Sequence, residues 1–207
     1  WMLSKVVHNK GGLYNRLTEQ IHLRTFCLRE CEAYVKAAGL ALNRNQILQY
    51  YMIFGGVPYY WGFLKKGLSL SQNIDSILFE KDAPLRDEFK YLYASVFKKP
   101  ENYVKIIEAL GTKKVGMTRE EIITATKIPN SGDLTTKLEE LESCGFIRKY
   151  NAFGMKKKNA IYQLMDCFTL FYFKFLKSEP TGEHFWTNQI NTPAVNTWLG
   201  LAFERVC

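Results

Sequence analysis

Several things that catalysis commonly needs are missing from this chain of 207 residues. No GxxxxGK followed by Ser or Thr is present to cradle a triphosphate, and no GxGxxG to hold a dinucleotide. There is no GxSxG elbow, no HExxH and no paired cysteine-histidine arrangement. The three histidines, His8, His22 and His184, are scattered, and no second CxxC or HxxxH completes a four-ligand zinc shell around Cys27 and Cys31. The five cysteines are an odd number in a chain of ordinary size, which argues against a disulfide framework and for reduced thiols, with Cys27 and Cys31 read as buried small residues in preference to metal ligands. A membrane-spanning run is also lacking: the most aromatic stretch, Cys167 to Leu176, is interrupted by Lys174 and is roughly half of the ~20 residues a bilayer requires. The opening Trp1-Met2-Leu3-Ser4-Lys5 carries no charged leader and no small-residue cleavage site, so a cytoplasmic location is expected.

What is present is core material: 47% of the residues are apolar and 14% aromatic, ample for one large or two small buried cores. The net charge of +8 suits a polyanionic partner. Its lysines, however, are clustered at Lys65-Lys66, Lys98-Lys99, Lys113-Lys114 and Lys156-Lys157-Lys158 and do not mark one face. Carboxylate pairs such as Glu120-Glu121 and Glu139-Glu140 fall on expected helix surfaces and read as solvated faces.

Helical periodicity dominates the first half. A short strand is expected at Thr18 to Leu23, where Ile21 and Leu23 alternate with polar residues. Leu28, Cys31, Tyr34, Val35 and Ala38 define a helix stopped by Gly39. Asn43 and Gln46 form a capping box for Arg44 to Phe54, and Gly55-Gly56-Val57-Pro58 breaks that helix. Further helices are expected at Tyr59 to Lys66, at Gln72 to Phe79 capped by Ser71, and at Ala83 to Phe97 capped by Asp82.

From Tyr103 to Leu164 the spacing predicts a winged helix-turn-helix. A helix spans Tyr103 to Leu110. Thr118 and Glu121 box the start of a second, Arg119 to Lys127. After the turn Ile128-Pro129-Asn130, Ser131 caps a third, Gly132 to Cys144, with a Leu134, Leu138, Leu141 stripe. Strands at Phe146 to Tyr150 and Ala160 to Leu164 flank a basic turn. Asp166 then caps an aromatic helix to Lys177. The fold class is therefore mainly α: a helical bundle, then a winged helix-turn-helix with a β-hairpin wing.

DNA recognition is weighed by charge. Asp133, Glu139, Glu140 and Glu142 on the third helix face only Lys137, and a phosphate-lined groove repels such a helix. Lys156, Lys157 and Lys158 could clamp backbone phosphates or be a solvated hairpin tip. The Gly55-Gly56-Val57-Pro58 turn has two readings: a break where glycine permits close backbone approach, or a ligand-facing corner offering Pro58 and Tyr59 as an apolar surface. Arg16 is a surface residue or a phosphate sensor. The aromatic helix Phe168 to Phe175 could serve self-association.

Several segments taken together carry a resemblance: Trp1-Met2 leading to Asn9-Lys10-Gly11-Gly12-Leu13-Tyr14-Asn15-Arg16, Phe26 to Glu32, Phe54-Gly55-Gly56-Val57-Pro58-Tyr59-Tyr60, Gly116-Met117-Thr118-Arg119, and Trp198-Leu199-Gly200-Leu201-Ala202-Phe203-Glu204. The chain resembles bacterial and archaeal ATP-binding proteins of the AAA-like, STAND-type class that often end in a nuclease-fold domain of unknown function. The resemblance implies an excerpt of a longer protein with Walker A and B before Trp1. Residues 1–27 are then the tail of the nucleotide-binding core, 28–99 the helical lid bundle, 100–165 the winged helix, 166–178 the aromatic helix, and 179–207 a linker and the start of a C-terminal domain, with Glu204 as its early acidic residue. It makes Arg16, Gly56, Pro58 and Tyr59 nucleotide-proximal, with ATP or ADP held by the whole protein and none tightly by this segment. The implied partners are the chain's own upstream core, DNA through the wing, and a second copy; no membrane partner is implied. Cys27 departs from the pattern, since a thiol caps a helix more weakly than the usual Thr.

Overall fold

The computed structural model describes residues 18, 19, 21, 23–151, 160–178, 180 and 184–207. Among these the protein is mainly helical, with one small antiparallel sheet. Of the strand expected at Thr18 to Leu23, the described residues Thr18, Glu19, Ile21 and Leu23 carry no strand, and Ile21 and Leu23 are exposed.

Where local capping chemistry is strong, the helices follow it. Helix α1 (Leu28–Ala37) begins at Cys27, whose side chain makes no capping hydrogen bond. The missing cap is offset from the other side, because Glu30 Oε2 accepts from the Cys27 backbone N–H at 2.7 Å. That bond lowers the Glu30 pKa from its ordinary value. Helix α2 (Arg44–Phe54) has the full reciprocal box: Gln46 N–H donates to Asn43 Oδ1 at 2.9 Å, and Asn43 N–H to Gln46 Oε1 at 3.0 Å.

The next three helices differ from expectation, two for a tertiary reason and one for a local one. Helix α3 (Pro58–Trp61) is a single turn and does not reach Lys66. The amide of the buried Asn73 captures residue 65 instead, accepting from Lys65 N–H at 2.8 Å and donating to Lys65 C=O at 3.2 Å. Helix α4 (Leu70–Ile74, continuing as a π-helical segment Asp75–Phe79) starts two residues early. Its cap is Ser69, not Ser71: Ser69 has Gln72 three residues on and forms the two-way box, which satisfies two orphan donors where Ser71 would satisfy one. Helix α5 (Glu88–Val96) starts later than Asp82 implies. Leu85 N–H donates to Ile77 C=O at 3.0 Å, Leu85 is fully buried, and Arg86 donates to Phe79 C=O at 2.7 Å. Residues 83–87 are thereby spent on closing the end of α4.

The second half keeps the expected order. Helix α6 (Glu101–Gly111) leads to β1 (Met117–Thr118), a strand absent from the sequence reading, and then to α7 (Arg119–Thr126), α8 (Gly132–Ser143), β2 (Ile147–Tyr150) and β3 (Ile161–Leu164). The sheet order is β1-β3-β2, all antiparallel, with Met117 opposite Tyr162 and Ile147 opposite Leu164. Gly116 makes β1 pairing feasible: its φ is +84°, and a Cβ there would lie 2.4 Å from Tyr162 O. Thr118 and Glu121 form their box. Ser131 does not cap α8 through its side chain. Arg119 holds the turn instead, donating to Asn130 Oδ1 and to Ser131 C=O, both at 2.9 Å.

Helix α9 (Cys167–Phe171, continuing as a π-helical segment Tyr172–Leu176) is capped by Asp166, which accepts from Thr169 N–H at 2.7 Å. Burial raises the Asp166 pKa. Two elements complete the chain, α10 (Phe185–Gln189), which the sequence reading does not contain, and α11 (Pro193–Val206). Asp75, buried in the π-helical part of α4, caps α10 from a distance in sequence of 111 residues. Its carboxylate accepts from Trp186 N–H at 2.6 Å, Thr187 N–H at 3.0 Å and Thr187 Oγ1 at 2.6 Å.

One apolar cluster runs from Cys31 in α1 to Trp198 in α11. Phe168 meets Tyr60 at 5.2 Å between ring centres, and Phe171 meets Trp186 at 5.1 Å and Trp198 at 5.3 Å. Phe89 stacks on Tyr172 at 4.0 Å. Most rings of α9 are thus spent on the chain's own interior, with Phe173 only partly buried.

Two substitutions test these ties. Asp75→Ala strips three donors of a charged acceptor and should cost about 3 kcal/mol in urea unfolding, with loss of near-ultraviolet signal from Trp186. Thr169→Val leaves the fully buried Tyr93 hydroxyl, 2.9 Å from Thr169 Oγ1, without its partner and should cost about 1–3 kcal/mol.

Candidate functional site

Three places in the fold bear on function, and the first is the glycine corner between α2 and α3. Gly55 ends α2 at a φ of +61°, and its carbonyl accepts from Trp61 Nε1 at 2.8 Å. Gly56 is buried. A Cβ on it would sit 1.8 Å from Phe26 O. Phe26 N–H donates to Gly56 C=O at 2.7 Å, and Tyr51 Oη donates to Phe26 C=O at 3.1 Å. The close approach that glycine permits here is made by the chain's own backbone, from the segment that precedes α1. Pro58 and Tyr59 face outward, Tyr59 with 61% of its surface exposed and edge-on to Phe63 at 5.0 Å. Of the nucleotide-proximal candidates, Pro58 and Tyr59 are therefore accessible at the corner and Gly56 is covered by Phe26. Arg16 lies outside the described residues.

The second place is α8. Its apolar stripe, Leu134, Leu138 and Leu141, is buried as the spacing predicts. Asp133, Thr135, Thr136, Glu139 and Glu142 are exposed. Lys137 is the one cation on this helix, and only 12% of its side chain is exposed. It pairs with Asp133 one turn earlier and lies over the Tyr103 ring at 5.3 Å. Tyr103 donates to Glu140, and burial raises the Tyr103 phenol above its ordinary pKa. The accessible face of α8 is therefore acidic and hydroxylic. Lys156, Lys157 and Lys158, between β2 and β3, lie outside the described residues.

The third place is a cleft of about 500 Å³ between α11, the sheet and the ends of α6 and α9. Met52, Leu170, Phe173, Trp198 and Leu201 supply apolar lining. Lys114, Arg148, Lys174 and Arg205 supply charge, with Glu204 the one carboxylate in the lining. Arg148 donates to Gln163 Oε1 at 2.8 Å, and Gln163 Nε2 donates to Lys114 C=O at 2.5 Å. Arg205 donates to Leu164 C=O and, at 3.4 Å, to Lys114 C=O. Burial lowers the Arg205 pKa, with Arg148 adding to that shift and Cys167 and Glu204 opposing it. None of the four cations forms an ion pair among the described residues. The sequence reading missed this site. Its only local signals are Lys174 inside an aromatic run and Arg148 inside a short strand.

The thiols divide by burial. Of the pair expected to be buried, Cys31 is buried and Cys27 is exposed; Cys144 and Cys207 are exposed and Cys167 is partly buried. Burial pushes both the Cys31 and Cys167 thiols up to about 12. Among the described residues no group of three or more His, Cys, Asp or Glu side chains is placed to hold a metal ion, and no helix is long and apolar enough to cross a membrane. Comparison of the chain with protein-family models, with curated proteins and with solved structures finds no match.

The corner, the start of α8 and the thiols each yield a prediction. Gly56→Ala should displace the Phe26 segment and lower stability by about 2 kcal/mol or more, read as a shifted urea midpoint. Gly132→Ala, where a Cβ meets nothing within 4 Å, should be neutral or stabilising by up to about 1 kcal/mol. With a disulfide reagent at pH 8, Cys27 and Cys207 should react first, Cys144 and Cys167 more slowly because burial raises their thiols, and Cys31 only at the rate of unfolding, because a buried, protonated thiol is a poor nucleophile.

Proposed function

We propose that this chain is a regulatory packing module, the lid and winged helix-turn-helix segment of a STAND-like ATP-binding protein, which couples nucleotide state to domain packing without turning over substrate itself. In this reading α6 to β3 form the winged helix, and ATP or ADP is held by a nucleotide-binding core supplied elsewhere in the protein.

The observation that carries the reading is the clip between Phe26 and Gly56. The resemblance makes the segment before α1 the tail of the core and the glycine corner the lid motif. A 2.7 Å backbone hydrogen bond between these two is the contact through which a shift in one moves the other. The corner is tied in turn to the shared interior, since Tyr60 of α3 packs on Phe168 of α9. Pro58 and Tyr59, exposed beside the clip, are the surface that a nucleotide base reaches.

The acidic outer face of α8 favours a protein-packing role for the winged helix over base reading, because Lys137 is withdrawn onto Tyr103 and Asp133 while phosphates repel carboxylates. The alternative is a DNA-binding regulator gripping backbone phosphates through Lys156, Lys157 and Lys158.

Two assays on the purified chain decide between the readings. The regulatory reading expects no ATP hydrolysis above background and no shift of duplex DNA at 150 mM salt. Measurable turnover would sink it. A salt-dependent DNA shift that disappears when Lys156, Lys157 and Lys158 are changed to Gln transfers the assignment to the DNA-binding alternative.

A further inference from the structure

The cleft beneath α11 serves no purpose in the regulatory reading, and its chemistry is specific. Its cations come from four separate segments: Lys114 before β1, Arg148 in β2, Lys174 in the π-helical end of α9 and Arg205 in the last turn of α11. Like charges do not converge on one concavity without cost. Arg205 is also partly withdrawn from water, and this burial, more than the neighbouring Arg148, disfavours its charge, although a guanidinium keeps its proton regardless. No carboxylate pairs with any of the four among the described residues. Glu204 alone cannot balance them.

The site is also preorganised. Arg205 is fixed by Leu164 C=O and Lys114 C=O, and Arg148 by Gln163. Gln163 in turn holds Lys114 C=O, so one hydrogen-bonded chain positions three of the four cationic segments. Gly111 shapes the floor, because a Cβ there would lie 2.6 Å from the Phe173 ring. The lining beyond the charges is mostly apolar, with Trp198, Phe173 and Leu201 available to cover a flat body. A volume of about 500 Å³ falls within the range of small-molecule sites, which pair an apolar enclosure with a few placed polar groups.

We propose that this cleft binds a small phosphomonoester with a flat aromatic body, the phosphate held by Arg148, Arg205, Lys114 and Lys174 and the ring lying on Trp198 and Phe173. A dianion matches four cations better than a carboxylate does, and guanidinium groups bind phosphate oxygens in a forked geometry. The assignment stands apart from the regulatory reading and does not depend on it.

The test is isothermal titration calorimetry of the full chain with 1-naphthyl phosphate as probe. Saturable binding at one site is expected. Inorganic phosphate, which lacks the ring, and 1-naphthoate, which carries one negative charge, should each bind at least about tenfold more weakly. Arg148→Gln and Lys174→Gln, both at exposed positions, should each weaken the probe by about tenfold. Ala202→Trp, which fills the cleft, should abolish binding while far-ultraviolet circular dichroism stays unchanged. The proposal is overturned by an absence of saturable heat, by equal affinity for inorganic phosphate or 1-naphthoate, or by affinity unchanged in both charge variants.

Discussion

A helix that carries large rings on most of its sides has little face to give to water, here mainly that of Lys174 and part of Phe173, and the rest of this structure is arranged around that constraint. The segment Cys167 to Leu176 places Phe168, Phe171 and Phe175 in the interior and presents Tyr172 to Phe89 on another side. Burying it requires walls on more than one flank. The α2–α3 region supplies one through Tyr60, α5 another through Phe89 and Tyr93, and α10 and α11 a third through Trp186 and Trp198. Each fully buried ring contributes about 1.5–3 kcal/mol by leaving water. The walls are therefore drawn from distant parts of the chain into one apolar cluster. The buried Tyr93 hydroxyl meets Thr169 Oγ1 at 2.9 Å, which ties the rotation of α9 to the α5 wall.

Polar side chains do the corresponding work at the edges, and they act on backbone. Asn73 satisfies Lys65, Arg86 closes the end of α4, Asp75 starts α10 and Arg205 holds the strand end at Leu164. In each case a side chain supplies a partner that local secondary structure would otherwise have had to provide. The cost of an unmet buried backbone group exceeds the small propensity differences between a helix and a turn, so the turn wins wherever the distant partner is present.

That contrast explains how far the sequence could be read. Arg44 to Phe54 is legible to the residue because its box, Asn43 with Gln46, is complete within four positions, and α7 is legible for the same reason. The helix expected to run to Lys66 stops at Trp61, and the one expected from Ala83 begins at Glu88. The deciding partners, Asn73 for the first and Ile77 and Phe79 for the second, lie outside the window that periodicity examines. Ser69 is the exception, a local signal passed over: its box with Gln72 was visible beside Ser71. The strand Met117–Thr118 is two residues long, too short for alternation to register. Only its pairing with β3 reveals it.

The same division governs the sites. A contiguous motif such as Gly55-Gly56-Val57-Pro58 advertises itself, yet its meaning is set by what fills the space that Gly56 leaves open, and Phe26 fills it. The cleft under α11 has the opposite character. Lys114, Arg148, Lys174 and Arg205 share no spacing and no motif, and each alone reads as a solvated basic residue. They become a site because β2 pairs with β3, which aligns Arg148 with Gln163, because Gln163 reaches Lys114, and because α11 returns against the sheet to place Arg205 beside Leu164. The +8 net charge has no evident face in the linear order of residues. Folding gives part of it one, by bringing four dispersed cations around an apolar floor with a single carboxylate among them.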